Sequence, residues 1–275
     1  MPSASAADKP PTTLLNQGIA MVRHLAHSPR SLGVTEIAKQ MNLPKSSAFR
    51  ILTILGELGF VQKGETSGRY SVSPEIFSFV YELTHHFAPT KRFETIMIEC
   101  AERWRCSVYI SMLSGTHSYV VSAMGPTGGT LALGSSCPAY ASSAGKIIVA
   151  ALDESQWPLY TPQPDHVPLT AYTNTEAERF YRELRVAREQ GVAWNIREST
   201  ESDVSVAALV PEANQPPRLA AALLVPHKDM LTHDKGRLQE RVRELALRLT
   251  EEARTSPARL PAILHAPSAV HQGRP

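Results

Sequence analysis

Cysteine is scarce in this 275-residue chain: Cys100, Cys106 and Cys137 are the only three. An odd number without CxxC spacing excludes a disulfide framework and a zinc knuckle, and points to reduced thiols in a cytoplasmic protein. No run of eighteen uncharged apolar residues exists, so no transmembrane helix is expected. The first eleven residues lack the apolar stretch of a secretory signal. Aromatics make up only 7% and charged residues 20%, while 43% are hydrophobic, which is ordinary globular usage. Net charge is nearly absent, at +2. No internal repeat is visible. The length suits two domains.

The charge is unevenly placed. Residues 13–72 hold seven cations (Arg23, Arg30, Lys39, Lys45, Arg50, Lys63, Arg69) against Glu36, Glu57 and Glu65, a net of +4 that leaves −2 for everything else. A basic patch on one small unit is the electrostatic footprint of a DNA reader.

Apolar periodicity within that unit predicts three helices. The first carries Leu15, Ile19, Val22, Leu25 and Ala26 and ends at His27-Ser28-Pro29. The second runs from Val34 to Met41 behind Gly33. The third opens at Pro44, with Ala48, Ile51, Leu52, Leu55 and Leu58 inward and Gly59 closing it. Two short β-runs, 60–63 and 69–72, flank a turn holding Gly64 and Gly68. This order is that of a winged helix-turn-helix. The outer face of the third helix then offers Lys45, Ser46, Ser47 and Arg50 to phosphates and base edges, and the wing offers Lys63 and Arg69.

An apolar stripe of Ile76, Phe79, Val80, Leu83 and Phe87 predicts a linker helix suited to pairing two subunits or packing between domains. Beyond it, a helix over 91–105 precedes β-runs at 107–113, 118–123 and 130–133, then a helix over 142–152 and a Pro-rich loop. Thr175 and Glu178 form a capping-box pattern before a helix ending at Gly191. Strands at 192–196, 204–210 and 219–225 and a helix over 235–254 complete an α+β domain around an antiparallel sheet. The expected division is a flexible tail over 1–12, the winged helix-turn-helix over 13–73, the linker helix over 74–88, an effector-binding domain over 89–254 and a second flexible tail over 255–275.

Several stretches in this order resemble the IclR family of bacterial transcriptional regulators. They are Val34-Thr35-Glu36-Ile37-Ala38, Leu43-Pro44-Lys45-Ser46-Ser47 with Arg50, Leu58-Gly59-Phe60, Gly68-Arg69-Tyr70-Ser71-Val72, Pro138 through Lys146, and Arg188 through Ala193 with Glu198. The resemblance implies a GAF-like effector domain and homodimers or tetramers on palindromic double-stranded operators, and it adds Thr35 to the DNA-binding set. One stretch departs from it. Where the family has Gly and then an Ala-Ala-Pro-Val-like run, this chain has Ser202-Asp203-Val204-Ser205-Val206-Ala207-Ala208-Leu209-Val210.

The turn from Tyr140 through Ser142, Ser143, Ala144 and Gly145 leads into a helix whose free amides suit an anion, and small residues there permit close approach. In similar proteins this turn helps to hold a carboxylate effector. The resemblance also places Asn195 and Ser205 in the pocket, and Tyr109 and Trp194 are candidate walls for a ring. Lys146 is expected to be a structural or surface cation. No cofactor, metal site or catalytic residue is expected. Ser143 and Lys146 fit the S-x-x-K pattern of acyl transfer, but its SDN and KTG companions are missing. The expected protein is a ligand-responsive transcriptional regulator answering to a small aromatic or oxo acid. A sensor acting through protein partners, or an acyl-transfer enzyme using Ser143, are the alternatives.

Overall fold

The computed structural model describes residues 13–87, 91–126, 132–163, 167–211, 218–230 and 233–255. The expected tail over 1–12, residues 256–275 of the second, and Thr130 and Leu131 of an expected strand lie outside them; Thr255, expected in the second tail, is helical. The chain forms two compact units that meet between His85 and His86.

In the first unit α1 (Leu14–His27) starts at Thr13, whose Oγ1 accepts from the Asn16 amide at 3.3 Å. Its inner face is Gly18, Met21 and Leu25. Leu15 is 71% and Ile19 49% exposed, so the expected inner stripe is rotated toward Gly18. Gly18 is buried on that face against Leu55, and a count of apolar side chains passes over it. α2 (Val34–Gln40) follows, then a turn in which Asn42 takes a left-handed φ of 53°. Asn tolerates that geometry better than most residues. α3 (Lys45–Glu57) follows Pro44 directly and buries Ala48, Ile51, Leu52 and Leu55. Leu58 lies past its end and is exposed, contrary to its expected inward place. Gly59 (φ 74°) stops the helix as expected.

β1 (Val61–Lys63) and β2 (Tyr70–Val72) form an antiparallel hairpin, and Leu32 exchanges two backbone hydrogen bonds with Tyr70 at 2.8 and 2.9 Å. Helices and wing share one core, with Met21, Ile37, Ile51, Leu52, Val61 and Tyr70 buried together. α4 (Ile76–Phe87) spans the boundary between the units. Its Phe79 meets Phe60 edge-on at 5.5 Å. The side chains of Leu83 and Phe87 lie outside the described residues.

The second unit is a six-stranded antiparallel sheet in the order β5-β4-β3-β8-β7-β6. Its strands are β3 (Ser107–Ser114), β4 (His117–Met124), β5 (Ser136–Pro138), β6 (Ala193–Ile196), β7 (Asp203–Leu209) and β8 (Leu219–Pro226). α5 (Lys91–Trp104) and α8 (Lys235–Thr255) cover one face; α6 (Ser143–Ala151) and α7 (Ala177–Gln190) cover the other. Period-two alternation makes this possible. On β8, Leu219, Ala221, Leu223 and Val225 face α5 and α8, while Ala220, Ala222 and Leu224 face α6 and α7. The whole molecule is therefore mixed α+β, a helix-turn-helix unit followed by an antiparallel sheet with helices. Among the described residues no helix is long and apolar enough to cross a membrane.

Two local expectations fail. The third strand of this domain is Ser136–Pro138, and Leu133 sits in a turn ahead of it. The Thr175–Glu178 capping box does not form. Helix α7 begins at Ala177 behind Glu176, whose amide donates to Asn174 Oδ1 at 3.0 Å. The nearby Asn side chain captures the chain reversal before Thr175 can cap.

Candidate functional site

Two sites emerge, one in each unit. On α3, burial of Ala48, Ile51, Leu52 and Leu55 turns the opposite face outward by helical geometry. That face carries Lys45, Ser46, Phe49, Arg50 and Thr53, all exposed, with Ser47 half-buried at its side. Lys45 and Arg50 have no ion-pair partner among the described residues, so both charges are available to phosphate or base. Thr35 is exposed at the start of α2, and Lys63 is exposed at the wing with Nζ 5.9 Å from the Tyr70 ring centroid.

Arg69 is placed differently from the other expected DNA contacts. Its Nε donates to the Ser31 carbonyl at 2.9 Å, and its Nη2 pairs with Glu36. The same carboxylate accepts from the Gly33 amide at 2.8 Å and from Arg30 at 3.0 Å. These donors hold the Glu36 carboxyl down at about 2, the Gly33 amide contributing most and Arg30 next. Arg69 thus ties the wing to the start of α2; its guanidinium is already engaged within the fold.

In the second unit, a cavity of about 240 Å³ opens between the start of α6 and the sheet. Strand neighbours put its walls in place: Asn195 on β6 pairs with Ser205 on β7, and Ser205 pairs with Leu224 on β8. Tyr109, Ser142, Asn195 and Ser205 of the expected set line it. Ser142 also caps α6, its Oγ accepting from the Gly145 amide at 3.2 Å. Ser143 is fully buried behind this wall, its Oγ 2.7 Å from Ser205 Oγ and 3.3 Å from Tyr109 OH. It holds the wall from behind. Ala144 is likewise fully buried in the α6 core and does not line the cavity.

Two expected pocket residues fall elsewhere. Tyr140 lines a neighbouring cavity of about 400 Å³ with His117 and Tyr160. Trp194 packs against the α5 and α8 side, and Lys235 Nζ lies 5.8 Å from its ring. Adjacent strand residues point to opposite faces, so Trp194 and Asn195 cannot share a wall. Gly145 also has another reason for its size. A Cβ there would lie 2.5 Å from Ala139 Cα and 2.6 Å from Ala139 O, so the glycine lets α6 abut the preceding turn.

The sequence reading missed Ser111, Ser118, Ser135, Ser136, Cys137, Ser199, Thr200 and Asp203, which complete the polar lining. Ser111 follows Tyr109 by two on β3 and Asp203 precedes Ser205 by two on β7, so period two could have found both. Ser199 and Thr200 come from a loop with no such signal. Asp203 is buried, and its Oδ2 accepts from Thr200 Oγ1 at 2.9 Å. Burial pushes the Cys137 thiol up to about 12.

Lys146 points to a separate cluster. Its Nζ sits 2.7 Å from both Glu198 oxygens, 2.7 Å from Glu183 Oε2 and 3.3 Å from the Trp194 carbonyl. Burial pushes the Glu198 carboxyl up, against the downward pull of Lys146. The ammonium is a structural cation, as expected. Among the described residues the hydrogen-bond partners of the Ser143 hydroxyl are the Ser205 and Tyr109 hydroxyls, neither of them the general base of an acyl-transfer serine.

A helix-turn-helix with a wing, followed by a sheet domain whose cavity is lined by hydroxyls, an amide and a carboxylate, defines a DNA-binding sensor protein. A family profile described as "Bacterial transcriptional regulator IclR C-terminal" matches residues 83–251, and one described as "IclR helix-turn-helix domain" matches residues 15–65. The chain belongs to the IclR family: it is a DNA-binding transcriptional regulator with a ligand-binding C-terminal domain, and not an enzyme. The Pca operon regulatory protein of Acinetobacter baylyi is 28% identical over 249 residues, covering 84% of this chain and 87% of its own. Two solved structures share the fold. The Thermotoga maritima IclR has a TM-score of 0.70 at 19% identity, covering 87% of this chain and 98% of its own. An IclR homologue from Microbacterium hydrocarbonoxydans, complexed with 4-hydroxybenzoate, has a TM-score of 0.73 at 15% identity, covering 89% and 100%.

Proposed function

We propose that α3 enters the major groove of a palindromic operator in the cytoplasm. Lys45, Ser46, Ser47 and Arg50 reach bases and phosphates, and Thr35 and Lys63 hold the backbone. The observation that carries this reading is that Lys45 and Arg50, on the exposed face of α3, have no ion-pair partner among the described residues. Arg69 acts as a positioning residue for the wing. One recognition helix reads too few base pairs for genomic specificity, which favours a homodimer or tetramer on two half-sites.

The 240 Å³ cavity lies below the roughly 300–1,000 Å³ of drug-sized sites, so its ligand is a small organic molecule. A small aromatic or oxo acid fits best, its carboxylate facing the first amides of α6, which have no intrahelical acceptor. Asp203 on the wall favours an acid that also carries a hydroxyl donor. The 4-hydroxybenzoate bound by the Microbacterium homologue has both groups. Binding shifts the population between DNA-competent and incompetent arrangements.

The test is a gel shift on the DNA upstream of the protein's own gene. Binding weakens with salt and is lost in Arg50→Ala; equal binding by that variant at every salt concentration overturns the recognition-helix reading. A thermal-shift screen of hydroxylated aromatic and oxo acids raises the melting temperature for a true effector. If the rise persists undiminished in Ser205→Leu, which fills the cavity, the site is wrong.

A further inference from the structure

The exposed face of α3 carries one side chain that its polarity does not explain. Phe49 is 52% exposed and stands outside the apolar cluster of its unit. It has no ring partner among the described residues. Helical spacing puts it beside Ser46, three residues earlier, and Thr53, four residues later. Thr53 turns its Oγ1 back onto the Phe49 carbonyl at 3.0 Å, which leaves its hydroxyl engaged with the helix beside the exposed ring.

This step rests on the reading that α3 enters the major groove. A ring at this place then meets base edges. Base edges in that groove present donors and acceptors, and the largest apolar group among them is the C5-methyl of thymine. A phenyl ring facing the N4 amine of cytosine or the O6 of guanine strips water from a polar group without replacing its hydrogen bond. Facing a thymine methyl, it removes two apolar surfaces from water at once. We infer that Phe49 is a specificity-determining residue, packed against a thymine methyl at one position of each operator half-site. Arg50 beside it supplies the polar contact, so one turn of helix reads a methyl and a hydrogen-bonding edge together.

The experiment starts from a pool of random-sequence duplexes, selected with the full-length protein. Wild type yields a consensus with a thymine at one position per half-site. Replacing that thymine by deoxyuridine deletes only the methyl, and wild-type affinity falls roughly three- to fivefold, the effect of exposing one buried methyl group. Phe49→Ala selects a consensus that has lost this thymine and keeps the other positions, and it binds thymine and deoxyuridine duplexes equally. Phe49→Leu keeps an apolar group and keeps the preference. Because the ring is outside the core, a thermal melt of each variant matches wild type.

Three outcomes overturn the assignment. An unchanged consensus in Phe49→Ala removes Phe49 from the reading set while leaving the recognition helix intact. Equal wild-type affinity for thymine and deoxyuridine does the same. A change of oligomeric state on gel filtration with the consensus unaltered moves the ring to a contact between copies of the chain. Failure of the underlying reading looks different: wild type then selects no consensus, or Arg50→Ala selects the wild-type one.

Discussion

The Ser143 hydroxyl lies 2.7 Å from the Ser205 hydroxyl, joining the first turn of α6 to the middle of β7 across 62 residues. Tyr109 OH completes the group at 3.3 Å from Ser143. Three buried polar side chains from α6, β3 and β7 thus satisfy one another. Removing the central member leaves two hydroxyls to find new partners. Ser143→Ala is expected to cost about 1–2 kcal/mol. Urea melts measure it, and an unchanged midpoint would show that the remaining pair re-forms without loss.

The Lys146 cluster is a larger risk to the fold. Lys146→Met leaves Glu198 buried with its cation gone and Glu183 beside it. Breaking a buried pair by removing one partner typically costs about 3–5 kcal/mol. A double variant, Lys146→Met with Glu198→Leu, is expected to recover much of that loss. A double variant no more stable than the single one would place the cost in packing instead of charge.

At the wing, stability depends on pH through Glu36. Its folded-state value of about 2 lies below the ordinary 4.5, so its contribution is present above pH 4.5 and is lost as pH falls toward 2. Glu36→Gln is expected to lower the melting temperature near neutrality and to converge on wild type toward pH 2. Parallel melting curves across that window would refute the ion-pair account of the Arg30, Arg69 and Glu36 group.

Cys137 lines the cavity yet is a poor nucleophile. With its thiol at about 12 in place of the usual 9.0, little thiolate exists at pH 8. Thiol labelling of native protein is expected to be at least roughly a hundredfold slower than in denaturant. Rapid native labelling traced to Cys137 by peptide mapping would show that the cavity is wetter and more open than its packing indicates.

Legibility differed sharply between the two units. The helix-turn-helix could be read residue by residue because its signals are local: Pro44 before a helix, Gly59 after it, two glycines in the wing turn. Even so, Leu15, Ile19 and Leu58 were expected inward and are exposed: α1 turns Gly18, Met21 and Leu25 inward, and Leu58 lies past the end of α3. Arg69 was read by charge alone, and its partner Glu36 is 33 residues away.

In the sensor domain, the sequence by itself determined the helices and the strands other than β5, because period and propensity act over neighbours. Tyr109, Ser142, Asn195 and Ser205 could be named for the cavity, and Trp194 could have been excluded by strand alternation. Only the tertiary structure decided that Ser143 stands behind the wall, that Tyr140 opens onto a different space, and that Ser199 and Thr200 join the lining. Those outcomes depend on strand register and on how closely α6 rests on the sheet. Both are set by pairings between residues tens of positions apart, where local preference has no influence.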